Sequence, residues 1–265
     1  MPKLPLYPGD YYEDCPLKLV VFKMHKLDPS LKRVLLFDSD QLILKHFDNL
    51  FSDIPVVDLA APRSYWLPSK QAALSSAFML IHLSDRLWDK VNKTFSTSDE
   101  FPVVAPKADM DIMNDQLGDT AMILSGEYVT LNSHWEAWDL PNWYHPDDTQ
   151  YSVPNQSKNS RSDSATELEP PTDSEPWDAG QAPIGPAKSK MAFSEESDIY
   201  KHLVGLYNYT PIVHFTALGK PWMYSYQEVT QIRSTAHPAF AHQFGVWRDV
   251  AEKTCPDRYL AAQQI

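Results

Sequence analysis

The sequence predicts an α/β fold, and three observations predict it. Short apolar runs rich in Leu, Ile, Val and Phe alternate along the chain with segments whose apolar residues recur at helical spacing. The clearest strand candidate is apolar on both faces, the pattern of a strand covered on both sides in a mixed, mainly parallel sheet. With 265 residues and 43% apolar content, the chain can bury one sizeable α/β domain or two small ones.

The elements follow in order. The first 16 residues carry Pro and acidic residues and read as an irregular arm. Leu17 to Leu27 has helix-like apolar spacing with lysines between, and Asp28-Pro29-Ser30 breaks it. Arg33 to Phe37 reads as a strand, and Leu42 to Leu44 extend it after two aspartates. Asp48 to Phe51 is one helical turn. Val56 to Ala61 and Ala73 to Leu83 read as strands. Ser84 then caps a helix from Asp85 to Val91, with Asp85 in its first turn. Asp109 to Leu117 reads as a helix, and Ala121 to Leu124 and Tyr128 to Leu131 as short strands. From about Pro146 to Glu195 the composition turns Pro-, Ser- and acid-rich, the signature of a disordered insertion. Order resumes with a helix from Asp198 to Leu206, a strand from Pro211 to Phe215 and a helical tail broken at Pro238 and Pro256. The organisation is therefore 1–145, an insertion at 146–195, and 196–265.

Composition excludes several classes. A net charge of −12 argues against nucleic acid or an anionic membrane as main partner. Two cysteines, Cys15 and Cys255, make neither a disulfide framework nor a cysteine zinc site; they read as free thiols or as one bridge. No apolar run reaches the roughly 18 residues that span a bilayer. Sequons at Asn92, Asn155 and Asn208 are of a kind that chance supplies often.

Three stretches carry residues suited to chemistry. Asp38-Ser39-Asp40 closes the strand Arg33–Phe37. Aspartate is a poor strand former, and a buried unpaired carboxylate is costly. The end of a strand is also where open α/β sheets bind ligands, and two carboxylates there suit a divalent cation that keeps open positions for phosphates. The plainer alternative is a pair of solvated or capping loop aspartates. His214 follows a second strand, with Gly219 and Lys220 beyond it. The imidazole suits a transition metal, the glycine allows close backbone approach, and the lysine pairs with phosphate. Alone, His214 reads equally as a hydrogen-bonded structural histidine. Asp109, Asp111, Asn114 and Asp115 gather at a helix start, where they either serve the helix dipole or hold sugar hydroxyls.

Taken together and in this order, these pieces resemble glycosyltransferase family 8, the glycogenin-like retaining transferases. KLVVFKMHKLDPSLKRVLLFDSDQLILKHFDNLF resembles the family's lysine-bearing helix, strand and Asp-x-Asp. LSSAFMLIHLS is similar to its Asn-Ser-Gly segment, DMDIMN to its Asp-Gln-Asp-Ile-Leu-Asn segment, and HFTALGKPW to its closing His, Gly-x-Lys-Pro-Trp motif. APRSYWL and LGDTAMIL resemble the fungal branch. The resemblance spans about Tyr11 to Trp222, less the insertion.

The resemblance implies a Rossmann-like GT-A fold, a UDP-sugar donor, Mn²⁺, and transfer of a hexosyl group with retention to a glycan or protein-linked acceptor. It implies Asp38, Asp40 and His214 as metal ligands. Lys18, Ser39, Ser75, Asn114, Gly219 and Lys220 join the two aspartates in binding the donor, and Asp109 and Asp111 stand nearest the reacting carbon.

The chain departs from the family pattern at Met110 in place of Gln, Ser75 in place of Asn, and Ala77 in place of Gly. It also lacks the strand, helix and strand that normally precede Lys18 and hold the nucleotide. The expectation is an N-terminally incomplete domain with an unprotected sheet edge and poor UDP binding. The sequence leaves the compartment open between the cytoplasm, expected for the chain as given, and the Golgi lumen, expected for a longer, anchored form. A non-catalytic binding or scaffold relative is the alternative reading. A haloacid-dehalogenase-like phosphatase is disfavoured by Leu42 after the aspartates and by Ile123 where a further aspartate should follow Gly118-Asp119.

Overall fold

The computed structural model describes residues 15–68, 73–96, 108–146 and 197–255. The N-terminal arm through residue 14 and nearly all of the insertion lie outside them.

Among the described residues, seven strands form two sheets. The first has four strands, β1 (Arg33–Phe37), β3 (Leu59–Pro62), β4 (Phe78–His82) and β5 (Met122–Leu124), in the order β1-β4-β3-β5. The second has three, β2 (Gln41–Ile43), β6 (Thr130–Leu131) and β7 (Ile212–His214), in the order β2-β7-β6. The eight α-helices described are α1 (Met24–Leu27), α2 (Asn49–Asp53), α3 (Asp85–Ser96), α4 (Asp109–Leu117), α5 (Ser133–Ala137), α6 (Asp198–Tyr209), α7 (Tyr226–Ile232) and α8 (Pro238–Thr254). A 3-10 segment, Cys15–Lys23, leads into α1, and a shorter one, Gly126–Val129, leads into β6.

The alternation of strand side chains builds the core in layers. Met79 and Ile81 of β4 point to one face, with Leu59 and Ala61 of β3. There they meet Leu19 and Phe22 of the first 3-10 segment, Leu87 and Val91 of α3, and Ile112 and Met113 of α4. Phe78 and Leu80 point to the other face, against Phe47, Leu50 of α2, Ala60 and Ile212. The second sheet has its own core, in which Leu42 and Val213 pack with Trp135, Leu203, Leu206, Phe240 and Phe244 from the helices.

The sheets are mixed, as expected, but the balance differs from the expectation. Among the described strands three pairings are antiparallel, β1 with β4, β2 with β7, and β3 with β4, while β3–β5 and β6–β7 are parallel. Arg33–Phe37 is not a doubly covered parallel strand. It is the edge of the first sheet, half-buried, with Phe37 42% exposed. Its apolar run fixes that it is a strand but says nothing of its partner's direction.

The helical caps agree with the residues. Ser225 and Glu228 cap α7 reciprocally, and Pro238 opens α8 as a first-turn residue, where its missing N–H is not needed. Leu17–Leu27, expected as one helix, is mostly 3-10, and Tyr128–Leu131 is a 3-10 turn followed by two strand residues. Cys255 is an exposed free thiol.

Candidate metal and donor-binding site

The two sheets meet at Asp38-Ser39-Asp40. Asp38 follows β1 of the first sheet, and Asp40 precedes β2 of the second. Asp38 is fixed by its N–H, which donates to the Ala77 carbonyl at 3.1 Å. The Gln41 amide donates to the same carbonyl at 2.9 Å. The β2–β7 pairing then brings in the distant ligand. Gln41 stands opposite His214, so the ring lies beside Asp40, Nε2 to Oδ1 3.4 Å. One ligand atom from each of Asp38, Asp40 and His214 lies within 4.8 Å of the others. Two carboxylate oxygens and an imidazole nitrogen fit a first-row divalent ion such as Mn²⁺.

Two lysines hold these carboxylates. Lys18 bridges Asp38 at 2.7 Å and Asp109 at 2.6 Å. Burial alone would lower its pKa, but the two carboxylates outweigh burial and raise it. Lys220 lies 2.5 Å from Asp40. Burial would raise the Asp40 pKa; His214 and then Lys220 reverse this and hold it well below the usual carboxylate range. Asp40 therefore stays charged at neutral pH despite being buried.

Lys220 reaches the site through a sharp turn. Leu218 has φ 66° and Gly219 φ 115°, so two successive residues adopt positive φ. A Cβ on Gly219 would sit 3.3 Å from the Met223 Sδ and from a Tyr224 ring carbon, so both conformation and space call for glycine there.

The remaining sequence-predicted residues divide. Asp109 is buried and joins the site through Lys18. Asp111 is exposed, and its carboxylate accepts the Ala108 N–H at 3.0 Å as a helix cap. Residues two apart on a helix do not share a face, so α4 aims only one of the two at Lys18. The Asn114 amide is engaged by backbone: it accepts from Leu74 N–H at 2.7 Å and donates to the Leu74 and Met110 carbonyls at 2.8 Å each. Asn114 thus clamps the segment that carries Ser75. Ser75 is buried, and its hydroxyl accepts the Ala77 N–H at 3.2 Å. Ser39 is exposed. Met110 lies 3.6 Å from the Ser64 hydroxyl. Sequence reasoning missed Ser76, whose carbonyl and hydroxyl lie 3.4 and 3.5 Å from Lys18, and Tyr65, whose phenol accepts the Leu131 N–H at 3.0 Å and ties the end of β3 to β6. Both lie inside segments that carry the resemblance, Ser76 in LSSAFMLIHLS and Tyr65 in APRSYWL, but nothing in the local sequence singles out either residue.

The comparisons with known proteins bear on this frame. The structure is similar to that of an active-site mutant of LgtC, with a TM-score of 0.51 and 11% identity, covering 99% of this chain and 75% of that one. The chain has the GT-A glycosyltransferase fold. Within that fold the seam between the sheets carries the Asp-x-Asp. In sequence, 112 residues are 36% identical to Glucose N-acetyltransferase 1 of Gibberella zeae, which is 40% of this chain and 22% of that protein. WbbM, a bifunctional glycosyltransferase, aligns at 10% identity and a TM-score of 0.45, over 89% of this chain and 35% of its own. The chain thus spans about a fifth of the curated relative and about a third of WbbM. No family model matches the chain.

Proposed function

We propose that this domain is the centre of a divalent-cation-dependent glycosyltransferase that moves a hexosyl group from a UDP-sugar to a glycan or protein-linked acceptor with retention. The observation that carries the proposal is the convergence of Asp38, Asp40 and His214 at the seam of a GT-A fold.

Asp38, Asp40 and His214 would hold the cation, Mn²⁺ being the choice the donor set and the family resemblance favour. When bound, it would offset the charge that builds on the departing diphosphate. Lys220 adds a second positive charge and sits on a turn whose glycine permits close backbone approach. Lys18 carries the charge of Asp38 across to Asp109 and so fixes where that carboxylate stands. Asp109 is the carboxylate placed to hold donor-sugar hydroxyls. Asp111 is spent on the helix cap and stands in reserve. The Met110 thioether offers neither a nucleophile nor an amide, so a mechanism through that position is not open to this chain.

The test is release of UDP from UDP-glucose, UDP-galactose or UDP-N-acetylglucosamine with Mn²⁺. Asp40→Ala should abolish any release.

A second reading, a binding or scaffold protein on the same fold, rests on the lysines. Lys18 and Lys220 already pair with Asp38, Asp40 and Asp109, so each carboxylate has an ion-pair partner without a cation. Absence of both turnover and Mn²⁺ binding would favour it.

A further inference from the structure

We infer that Asn132 is a positioning residue that sets the conformation of the segment from His214 to Lys220. The inference rests on the metal reading only for its functional consequence. Asn132 is fully buried where β6 ends and α5 begins. Its backbone N–H donates to the His214 carbonyl at 2.9 Å. Its side-chain oxygen accepts two successive backbone N–H groups, Thr216 and Ala217, each at 2.8 Å, and lies 3.4 Å from the Thr216 hydroxyl. Its amide nitrogen donates to the Ala217 carbonyl at 3.4 Å. One side chain thus fixes two of the three residues, Thr216 and Ala217, between the β7 strand end and the Leu218–Gly219 turn.

A second observation makes that hold consequential. A histidine that binds a metal is ordinarily aimed by a hydrogen bond to its other ring nitrogen. His214 faces Asp40 through Nε2, while Nδ1 is buried with no hydrogen-bond partner among the described residues. No side chain steers the ring from behind. Its aim is set by backbone, through the Gln41–His214 register and through Asn132. The Asn132 side chain, which holds Thr216 and Ala217, also governs Lys220, because the turn that presents it starts at Ala217. Asn132 therefore acts on His214 through its backbone N–H and through the Thr216–Ala217 segment its side chain fixes, and on Lys220 through that same segment, without touching the imidazole ring or the ammonium.

Two readouts on the whole chain test this. Hydrogen exchange at the Thr216 and Ala217 amides is independent of any metal. Asn132→Ala should speed it at least tenfold, with α8 amides unchanged, and Asn132→Asp, which keeps the accepting oxygen, should hold it within threefold of the native rate. Mn²⁺ affinity in the presence of UDP, from the paramagnetic resonance of free Mn²⁺, should fall at least tenfold in Asn132→Ala and recover in Asn132→Asp. If Asn132→Ala does not fold, Asn132→Ser carries the same expectations. Native exchange at Thr216 and Ala217 in the alanine or serine variant would overturn the inference. Exchange that opens while Mn²⁺ affinity holds would confine Asn132 to the loop and remove its role at the metal ligand. If the native chain binds no Mn²⁺, the metal reading falls instead, and the exchange result alone decides for or against Asn132.

Discussion

The contact of Lys220 with Asp40 decides what an incoming cation must displace. The ammonium lies 2.5 Å from Asp40 Oδ2, and His214 shares the other oxygen at 3.4 Å. A metal ion taking Asp40 competes with that ammonium. The diphosphate that follows would offer the lysine another anion. Lys220→Gln should therefore tighten Mn²⁺ binding to the chain alone by about two- to fivefold, the size of a partly exposed ion pair. It should weaken UDP binding in the presence of Mn²⁺ by about tenfold or more. Calorimetry with Mn²⁺ alone and with Mn²⁺ plus UDP separates the two effects, and equal weakening in both would contradict the exchange. The clustering of Asp38, Asp40, His214 and Lys220 was legible because aspartate after a strand is anomalous and needs a partner. The cap made by Asp111 and the backbone clamp made by Asn114 could not be told from ligand-binding roles in the sequence, because Asp and Asn serve backbone and ligand with the same atoms. Helical spacing set Asp109 and Asp111 on different faces, and only tertiary contact tells which face meets Lys18.

At the scale of the element, the turn after β7 and the start of α8 are the sensitive points. Gly219→Ala places a Cβ at φ 115° against Met223 and Tyr224. The expected cost is about 1–2 kcal/mol, read as a melting temperature about 3–6 °C lower. UDP affinity should fall with it. His237 caps α8 by accepting the Ala239 N–H at 3.1 Å through Nδ1. Burial holds its pKa down to about 4, against the ordinary histidine value of 6.5, with the Tyr200 backbone opposing in part. A depressed folded pKa contributes stability above the unfolded value that is lost as pH falls through the folded one. His237 thus destabilises the fold progressively from about pH 6.5 to about pH 4, where protonation of Nδ1 converts the accepting cap into a donor. Urea midpoints measured across that window should fall less steeply in His237→Gln than in the native chain. Most elements were readable from local pattern: α4 and β1 begin and end where the residues place them. Strand direction was not, because an apolar run is the same in an antiparallel edge as in a parallel centre. The five-residue α5 was not, because its burial of Trp135 depends on α6, which lies far along the chain.

Over the whole molecule, the site belongs to neither sheet alone. Asp38 is held by the first sheet, Asp40 and His214 by the second, and Asp109 by a helix packed on the first. A ligand bound across this seam stabilises both cores at once, so Mn²⁺ with UDP should raise the melting temperature, with the shift growing as ligand rises above its dissociation constant. Asp40→Ala should remove that shift. The measurement that bears most directly on the account is UDP release from UDP-sugar donors with Mn²⁺, in the native chain and in Asp40→Ala side by side. The account predicts Mn²⁺-dependent release in the native chain and none in the variant; release that persists in Asp40→Ala, or that proceeds unchanged without a divalent cation, would contradict it.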